Sequence, residues 1–274
     1  MREAPMEPVP PGIDPTKAHP SRRYNYWLGG KDNFAVDRES AETVASGFPT
    51  VALAARENRK FMARAVRYLA RDAGITQFLD IGTGLPSAGN VHEVAQAIDP
   101  ASRIVYVDND PVVLVHARAL LTSSPEGRTA YIDADLREPE KILAAPELAA
   151  TLDLTRPVAL MLVAIMHFVS DDEDPYGLVA RLVGALPPGS HVVITHATGD
   201  HLTPDQYEEA VETNRLSGVP FSLRTRAEFT RFFDGLDLVD PGVTNVVEWR
   251  PDLPPRHRPS VEDVSMYCAA ARIP

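Results

Sequence analysis

The spacing of apolar positions along the chain changes at Gly74. Before it, apolar residues recur every three or four positions from residue 51 to residue 73, which predicts one amphipathic helix. Gly74 supplies the stop signal for this helix. Beyond Gly74, short apolar runs of strand length alternate with segments of helical spacing. This alternation predicts an α/β fold with a mostly parallel sheet covered by helices on both faces.

The predicted elements of this alternating region can be placed by residue number. The strands are expected at 77–81, 103–108, 129–133, 158–165 and 191–196. The intervening helices are expected at 89–98, 111–121, 139–148 and 176–186. Two helix starts carry local signals, since Asp110 precedes Pro111 and Thr225 precedes Glu228 by three residues.

The pattern changes again after about residue 200. Helices are expected at 204–216 and 225–233, and strands at 236–239, 243–249 and 264–271. These last strands are expected to add an antiparallel edge to the sheet. We therefore divide the chain into an N-terminal arm, a covering loop with leading helices, and a core that carries lid helices near 204–233. The three parts are 1–20, 21–75 and 76–274.

Composition narrows the class of protein. The net charge is −11 and no run of lysine or arginine offsets it, so a nucleic-acid partner is disfavoured. The longest apolar stretch, 157–166, is about half the roughly 20 residues of a membrane span, so no span is expected. The single cysteine, Cys268, excludes an internal disulfide and favours the cytoplasm. The contiguous acids at 171–174 are typical of a solvated loop, and no metal is predicted.

The segment FLDIGTGLPSAGN, residues 78–90, has the sharpest local signal. A strand runs into Gly82-Thr83-Gly84 and then into a helix. Glycines let the backbone turn tightly and approach a ligand, and the helix start offers free amides. A simple strand-to-helix turn remains the alternative.

Two further acids follow the next two strands. Asp108 ends the strand of RIVYVDNDP and can accept hydrogen bonds from both hydroxyls of a ribose. Asp135, in YIDADLRE, comes just after the third strand, although a solvated loop carboxylate would look the same. The glycine segment and Asp108 together indicate an adenosine-containing ligand.

In their order and spacing, these three segments resemble the class I S-adenosylmethionine methyltransferases. The resemblance implies a seven-stranded Rossmann-like sheet and S-adenosylmethionine as cofactor. It implies that the first motif lines the methionine part of the cofactor, that Asp108 holds the ribose, and that Asp135 faces the adenine amine beside Leu136. The cofactor residues predicted on this basis are Asp80, Gly82, Thr83, Gly84, Asp108, Asn109, Asp135 and Leu136.

A closer resemblance covers nearly the whole chain after the arm. The segments RRYNYWLGGKDNFAVDRE, RENRKFMARAVRYLA, VAIMHFVSDDEDPYGLVARL and RFFDGLDLVDPGV are similar to an actinobacterial family of predicted S-adenosylmethionine methyltransferases known as a domain of unknown function. This resemblance implies that the N-terminal GGKDN loop covers the cofactor. The additional pocket residues it implies are Tyr24, Asn25, Tyr26, Gly29, Gly30, Lys31 and Asp32. Alternatively, this loop only packs against the sheet.

The expected activity is methyl transfer to a small-molecule acceptor, in which positioning supplies most of the catalysis. If the acceptor must lose a proton, His167 at the end of the fourth strand is the candidate base, and His196 has the same position on the fifth. Either histidine can instead serve packing or stack on the cofactor. A regulatory protein that binds the cofactor without turnover remains open. A dehydrogenase is disfavoured because Ser87, after Pro86, replaces the third glycine. The sequence leaves the oligomeric state open.

Overall fold

The computed structural model describes residues 13–120 and 123–274. Most of the predicted arm, residues 1–12, lies outside the described residues, as does Leu121 at the predicted end of the helix 111–121. No helix in the described ranges is long and apolar enough to cross a membrane.

The centre of the fold is an eight-stranded sheet of order β3-β2-β1-β4-β5-β8-β6, in which β7 also pairs with β8. The strands are β1 Gln77–Ile81, β2 Arg103–Asp108, β3 Arg128–Asp133, β4 Ala159–Leu162, β5 His191–Ala197, β6 Asp237–Leu238, β7 Thr244–Asn245 and β8 Met266–Arg272. Strands β1 to β5 pair in parallel, and β8 pairs antiparallel with β5, β6 and β7. The predicted mostly parallel sheet with an antiparallel C-terminal edge is confirmed. The eighth strand arises because two short segments of two residues each pair with β8.

Helices cover both faces of the sheet. They are α1 Pro20–Trp27, α2 Ala35–Gly47, α3 Val51–Arg71, α4 Val91–Gln96, α5 Pro111–Leu120, α6 Pro139–Leu143, α7 Pro146–Thr151, α8 Pro175–Gly184, α9 Pro204–Leu216, α10 Arg226–Thr230 and α11 Val261–Val264. On one face, α3 and α4 pack over Phe78 and Ile104. On the other, α6, α7 and α8 pack over Leu79 and Val105. Alternate residues of β1 and β2 thus enter opposite cores, which explains why these strands are apolar throughout.

Several predicted elements differ from the structure; the strand 243–249, for example, contains only the two residues of β7. The strand 158–165 ends at Leu162, because Ala164 has a positive φ of 56° that a strand does not admit. The helix 139–148 is two helices, because Ala145 precedes Pro146 and is extended at φ −65°, ψ 131°. The stretch 21–75, predicted as a covering loop with leading helices, contains all but the first residue of α1, and all of α2 and α3.

Candidate functional site

A cleft of about 290 Å3 lies at the carboxyl ends of β1 to β4. In this sheet the strand order reverses at β1, which has β2 on one side and β4 on the other. Open α/β sheets bind ligands at such a reversal, because the loops after the two neighbouring strands separate and leave a crevice. The position of the cleft therefore follows from the topology.

The loop after β1 forms the floor of the cleft. Gly82 and Gly84 have positive φ values of 74° and 67°, which side chains with a Cβ rarely adopt. The N–H of Gly82 donates to the Val107 carbonyl on β2 at 2.8 Å, which holds the loop against the neighbouring strand. A Cβ at Gly82 would lie 2.0 Å from Cδ1 of Ile165, which also lines the cleft. Glycine is therefore required at this position.

Asp80 is a buried carboxylate on β1 that lines the cleft. Its side chain accepts one hydrogen bond, from the Thr83 hydroxyl to Oδ2 at 3.0 Å. Burial raises the pKa of Asp80 to about 6, against a smaller lowering by the Thr83 hydrogen bond and the charge of Arg59. A desolvated carboxylate with few donors is suited to receive a cationic group from a ligand.

Asp108 is held more firmly. Its Oδ2 accepts from the N–H of Gly84 at 2.8 Å, and its Oδ1 accepts from the N–H of Asp110 at 2.9 Å. Burial raises its pKa, while these two backbone hydrogen bonds lower it. Each oxygen keeps a second lone pair, so the carboxylate can accept two further hydrogen bonds from a ligand such as a diol.

Asp135 lies after β3 at a more open part of the cleft. Asn109 donates to its Oδ2 at 2.7 Å, and the backbone N–H of Arg137 donates to its Oδ1 at 2.8 Å. Leu136, which is buried, lines the cleft beside it. This part of the wall thus combines an apolar surface with hydrogen-bonding groups.

The N-terminal segment forms another wall of the cleft. Residues 18–21 and Tyr24 line it. The segment is anchored by the buried Asp110, whose Oδ2 accepts from the Ser21 hydroxyl at 2.7 Å and lies 3.1 Å from Nδ1 of His19. Arg22, also buried, places its Nε 3.3 Å from the same oxygen. A charged network therefore holds the start of α1 over the ends of β1 and β2.

The structure brings nine of the predicted site residues together around the cleft. They are Tyr24, Asp80, Gly82, Thr83, Gly84, Asp108, Asn109, Asp135 and Leu136. The structure leaves the rest of the predicted covering loop outside the lining. Asn25 packs under Gly30 and accepts from Asn33 at 2.8 Å, Gly29 ends α1, and the Tyr26 hydroxyl bonds to Glu42. Lys31 and Asp32, from the same loop, are exposed and also lie outside the lining.

His167 also lies outside the lining. Its ring is buried in an aromatic cluster, with centroids 4.4 Å from Phe168 and 4.8 Å from Phe221. Burial, together with the nearby His196, lowers the pKa of His167 well below its ordinary value. His196 is equally buried, with Nε2 2.6 Å from the Arg224 guanidinium, and burial lowers its pKa to about 3. Both rings belong to the packing beneath the cleft.

Several lining residues escaped the sequence analysis. Asn58, Arg59 and Met62 come from α3, and His19 and Ser21 from the start of α1. Of these, Arg59 has a signal in the sequence, because it is one of four arginines, with Arg22, Arg23 and Arg56, that could meet the carboxylate of the cofactor or form surface ion pairs. Asn58 has a weaker one, as a polar residue within the apolar spacing of α3. The others reach the cleft through tertiary packing.

Three features together define a class I methyltransferase fold. The strand order of the parallel sheet reverses at β1, a glycine loop follows β1, and carboxylates lie at the ends of the first three strands. A model of the S-adenosyl methyltransferase family matches residues 6–274, and the chain belongs to this family. S-adenosylmethionine is the cofactor of the family, so the predicted cofactor is confirmed.

Solved structures agree with this assignment. A DUF574 family protein from Streptomyces avermitilis MA-4680 is 47% identical, with a TM-score of 0.90 over 94% of this chain and 98% of that one. A candidate methyltransferase from Thermobifida fusca YX is 41% identical, with a TM-score of 0.87 over 96% and 98% of the two chains. An O-methyltransferase family protein from Burkholderia thailandensis, 15% identical, has a TM-score of 0.52 over 87% of this chain and 61% of its own, and shares the fold. A comparison with curated proteins gave no match.

Proposed function

We propose that the chain transfers the methyl group of S-adenosylmethionine to a small-molecule acceptor that binds in the same cleft. The observation that carries this proposal is the convergence of Asp80, Asp108 and Asp135, from the ends of three adjacent strands, on one cleft. Each acid meets a different part of an elongated ligand laid across the strand ends.

The environment of each acid supports one role. Asp108 accepts hydrogen bonds from the ribose hydroxyls, since two backbone donors already fix its orientation. Asp135 and Asn109 hydrogen-bond to the adenine, and Leu136 packs against the ring. Asp80 attracts the positive end of the methionine moiety, because a buried carboxylate with one side-chain donor gains most from a cation. Gly82 and Gly84 let the backbone approach the ligand.

Part of the remaining lining is apolar, which suits a small organic acceptor. Its apolar members include Ala18, Pro20, Phe168, Val169, Val219 and Pro220. Ligand pockets usually have volumes of roughly 300–1,000 Å3, and the volume of this cleft, about 290 Å3, lies at the small end of that range, which favours a small acceptor. The net charge of −11 also works against a nucleic-acid acceptor.

Positioning supplies most of the catalysis, because methyl transfer from a sulfonium is an in-line displacement. Where the acceptor loses a proton, His19 is better placed than His167 to receive it. His19 lines the cleft and its Nδ1 contacts the Asp110 carboxylate, whereas the His167 ring is enclosed by Phe168 and Phe221. A carboxylate on one ring nitrogen orients the imidazole.

The test is calorimetric titration with S-adenosylmethionine, S-adenosylhomocysteine and NAD. Asp108→Ala is compared with Asp133→Ala, which removes an exposed acid at the end of β3 that lies outside the cleft. We expect S-adenosylmethionine and S-adenosylhomocysteine to bind the wild type and Asp133→Ala, and not to bind Asp108→Ala. Formation of S-adenosylhomocysteine with a panel of small acceptors then distinguishes an enzyme from a protein that only binds the cofactor. Binding of NAD alone, or retained binding in Asp108→Ala, would contradict the proposed site.

A further inference from the structure

Two polar side chains on the α3 wall of the cleft have no role in the assignment above. Asn58 and Arg59 are neighbours on α3, and both line the cleft with Asp80 and Tyr24. Asn58 is only 1% exposed, so its amide lies away from bulk solvent at the edge of the cleft. A buried amide on a cleft wall needs partners for both its oxygen and its nitrogen.

The orientation of the Asn58 amide follows from a count of hydrogens. The Tyr24 hydroxyl donates its one hydrogen to the Ala55 carbonyl at 2.9 Å, so it can only accept from Asn58. The Asn58 atom that faces Tyr24, at 3.0 Å, is therefore the donor Nδ2. The opposite atom, Oδ1, is buried and has no hydrogen-bond partner among the residues that the structure describes. It is an acceptor that requires a donor.

The Arg59 guanidinium is a hydrogen-bond donor whose partners are weak. Its guanidinium contacts the Ala88 carbonyl at 3.4 Å, Asn90 Oδ1 at 3.3 Å and a thioether sulfur at 3.5 Å. All of these acceptors are neutral and lie at long distances. Within the described ranges, no carboxylate lies within 4 Å of this guanidinium. A half-buried cation on a cleft wall is thus left to pair with an anionic ligand group.

We propose that Asn58 and Arg59 bind the amino acid end of S-adenosylmethionine. Asn58 Oδ1 and the Asp80 carboxylate accept hydrogen bonds from its ammonium group, and the Arg59 guanidinium pairs with its carboxylate. The inference rests on the proposed cofactor site and adds to it a specificity for ligands that carry an amino acid group. The cleft selects a zwitterionic α-amino acid group over a nucleoside that lacks one.

A pair of ligands isolates this contribution. S-adenosylhomocysteine carries the amino acid end, and 5′-methylthioadenosine lacks it while keeping adenine, ribose and sulfur. Both are titrated calorimetrically into the wild type, Asn58→Ala and Arg59→Gln. Arg56→Gln is the matched control, because Arg56 is an exposed arginine one turn earlier on α3 and outside the cleft.

We expect the two cleft variants to bind S-adenosylhomocysteine about 10- to 100-fold more weakly, the range for lost hydrogen bonds to charged groups. Binding of 5′-methylthioadenosine should change less than about twofold, since its contacts remain. The control should match the wild type with both ligands. Equal losses for the two ligands, or no loss for S-adenosylhomocysteine, would overturn the inference.

The design also separates this inference from the proposed function. A wild type that binds neither ligand contradicts the cofactor site itself. A wild type that binds both ligands equally well leaves the nucleoside part of the site in place and refutes the role of Asn58 and Arg59. Retained binding of 5′-methylthioadenosine shows that a variant is folded. If Asn58→Ala loses its cooperative thermal transition, the titrations of Arg59→Gln decide.

Discussion

Asp80→Asn is expected to stabilise the ligand-free protein, because the native carboxylate is ionised at neutral pH in a site that disfavours its charge. Burial raises the pKa of Asp80 from 3.8 to about 6. A difference of about two pKa units between the folded and unfolded chain corresponds to roughly 3 kcal/mol of unfolding free energy above pH 7. Asparagine removes the charge and keeps an acceptor for the Thr83 hydroxyl. We expect the variant to gain about 2 to 3 kcal/mol at pH 8.

The sign of the pH dependence provides the sharper test. Between about pH 4 and 6 the folded chain keeps a proton on Asp80 that the unfolded chain has lost. The unfolding free energy of the wild type therefore falls as pH rises through this window, relative to that of Asp80→Asn. Urea denaturation at pH 5, 6, 7 and 8 measures the difference between the two proteins. A gain that is equal at all four values would refute desolvation of Asp80 as its cause.

The same substitution should weaken cofactor binding, since the cation-accepting carboxylate is lost. Asp133→Asn is the control, because it removes an exposed acid outside the cleft and should change neither stability nor binding. A gain in stability together with a loss of S-adenosylhomocysteine affinity is the expected combination. Unchanged affinity in Asp80→Asn would contradict the role proposed for Asp80.

Four further substitutions test other parts of the structure by urea denaturation. Gly82→Ala places its Cβ against Ile165 at a positive φ, so its unfolding free energy should fall by about 2 to 4 kcal/mol and it should no longer bind the cofactor. In Gly84→Ala the new Cβ meets nothing within 4 Å, so the unfolding free energy should fall by only about 1 to 2 kcal/mol. Burial raises the pKa of Asp110, but its contacts with the start of α1 outweigh this effect and hold the pKa at about 2. The unfolding free energy of the wild type should therefore fall by about 2 kcal/mol as pH falls from 4 to 2. Asp110→Asn should not show this fall. Arg224→Met removes buried hydrogen bonds to carbonyls and a histidine, and should lose about 3 kcal/mol; a neutral result would contradict a structural role.

The strands of the sheet could be predicted from the sequence because each strand is marked by a local pattern of residues. Strands β1 and β2 have the predicted bounds, since each is an apolar run ended by an acid or glycine. The placement of Asp80 and Asp108 at the cleft follows from those bounds, because parallel strands bring their carboxyl ends to one edge. Strand β4 was predicted too long, since the turn at Ala164 is set by tertiary contacts, including its N–H bond to the Thr195 hydroxyl at 2.8 Å.

The walls of the cleft could not be predicted in the same way. Asn58 lies on the apolar face of α3, four residues after Ala54 and three before Phe61, so its amide is an isolated polar group on a buried face. Arg59 lies beside that face. The sequence pattern does not say which element covers α3 at this point. In the structure α1 contacts it, and the Tyr24 hydroxyl donates to the Ala55 carbonyl. The glycine pair at 29–30, predicted at the pocket, lies outside the lining of the cleft. Gly29 ends α1 in a left-handed turn, which explains the glycine without a ligand.

The features of the cleft that disfavour the ligand-free chain are the ones that favour the cofactor. Asp80 is a buried anion, Asn58 Oδ1 is a buried acceptor with no donor among residues 13–120 and 123–274, and Arg59 is a cation beside neutral acceptors. Each is fixed before binding by neighbours on β1, α1 or α3, so little ordering accompanies ligand entry. A zwitterionic ligand group satisfies all three at once. Saturating S-adenosylhomocysteine should therefore raise the melting temperature of the wild type more than saturating 5′-methylthioadenosine does at equal occupancy of the nucleoside site.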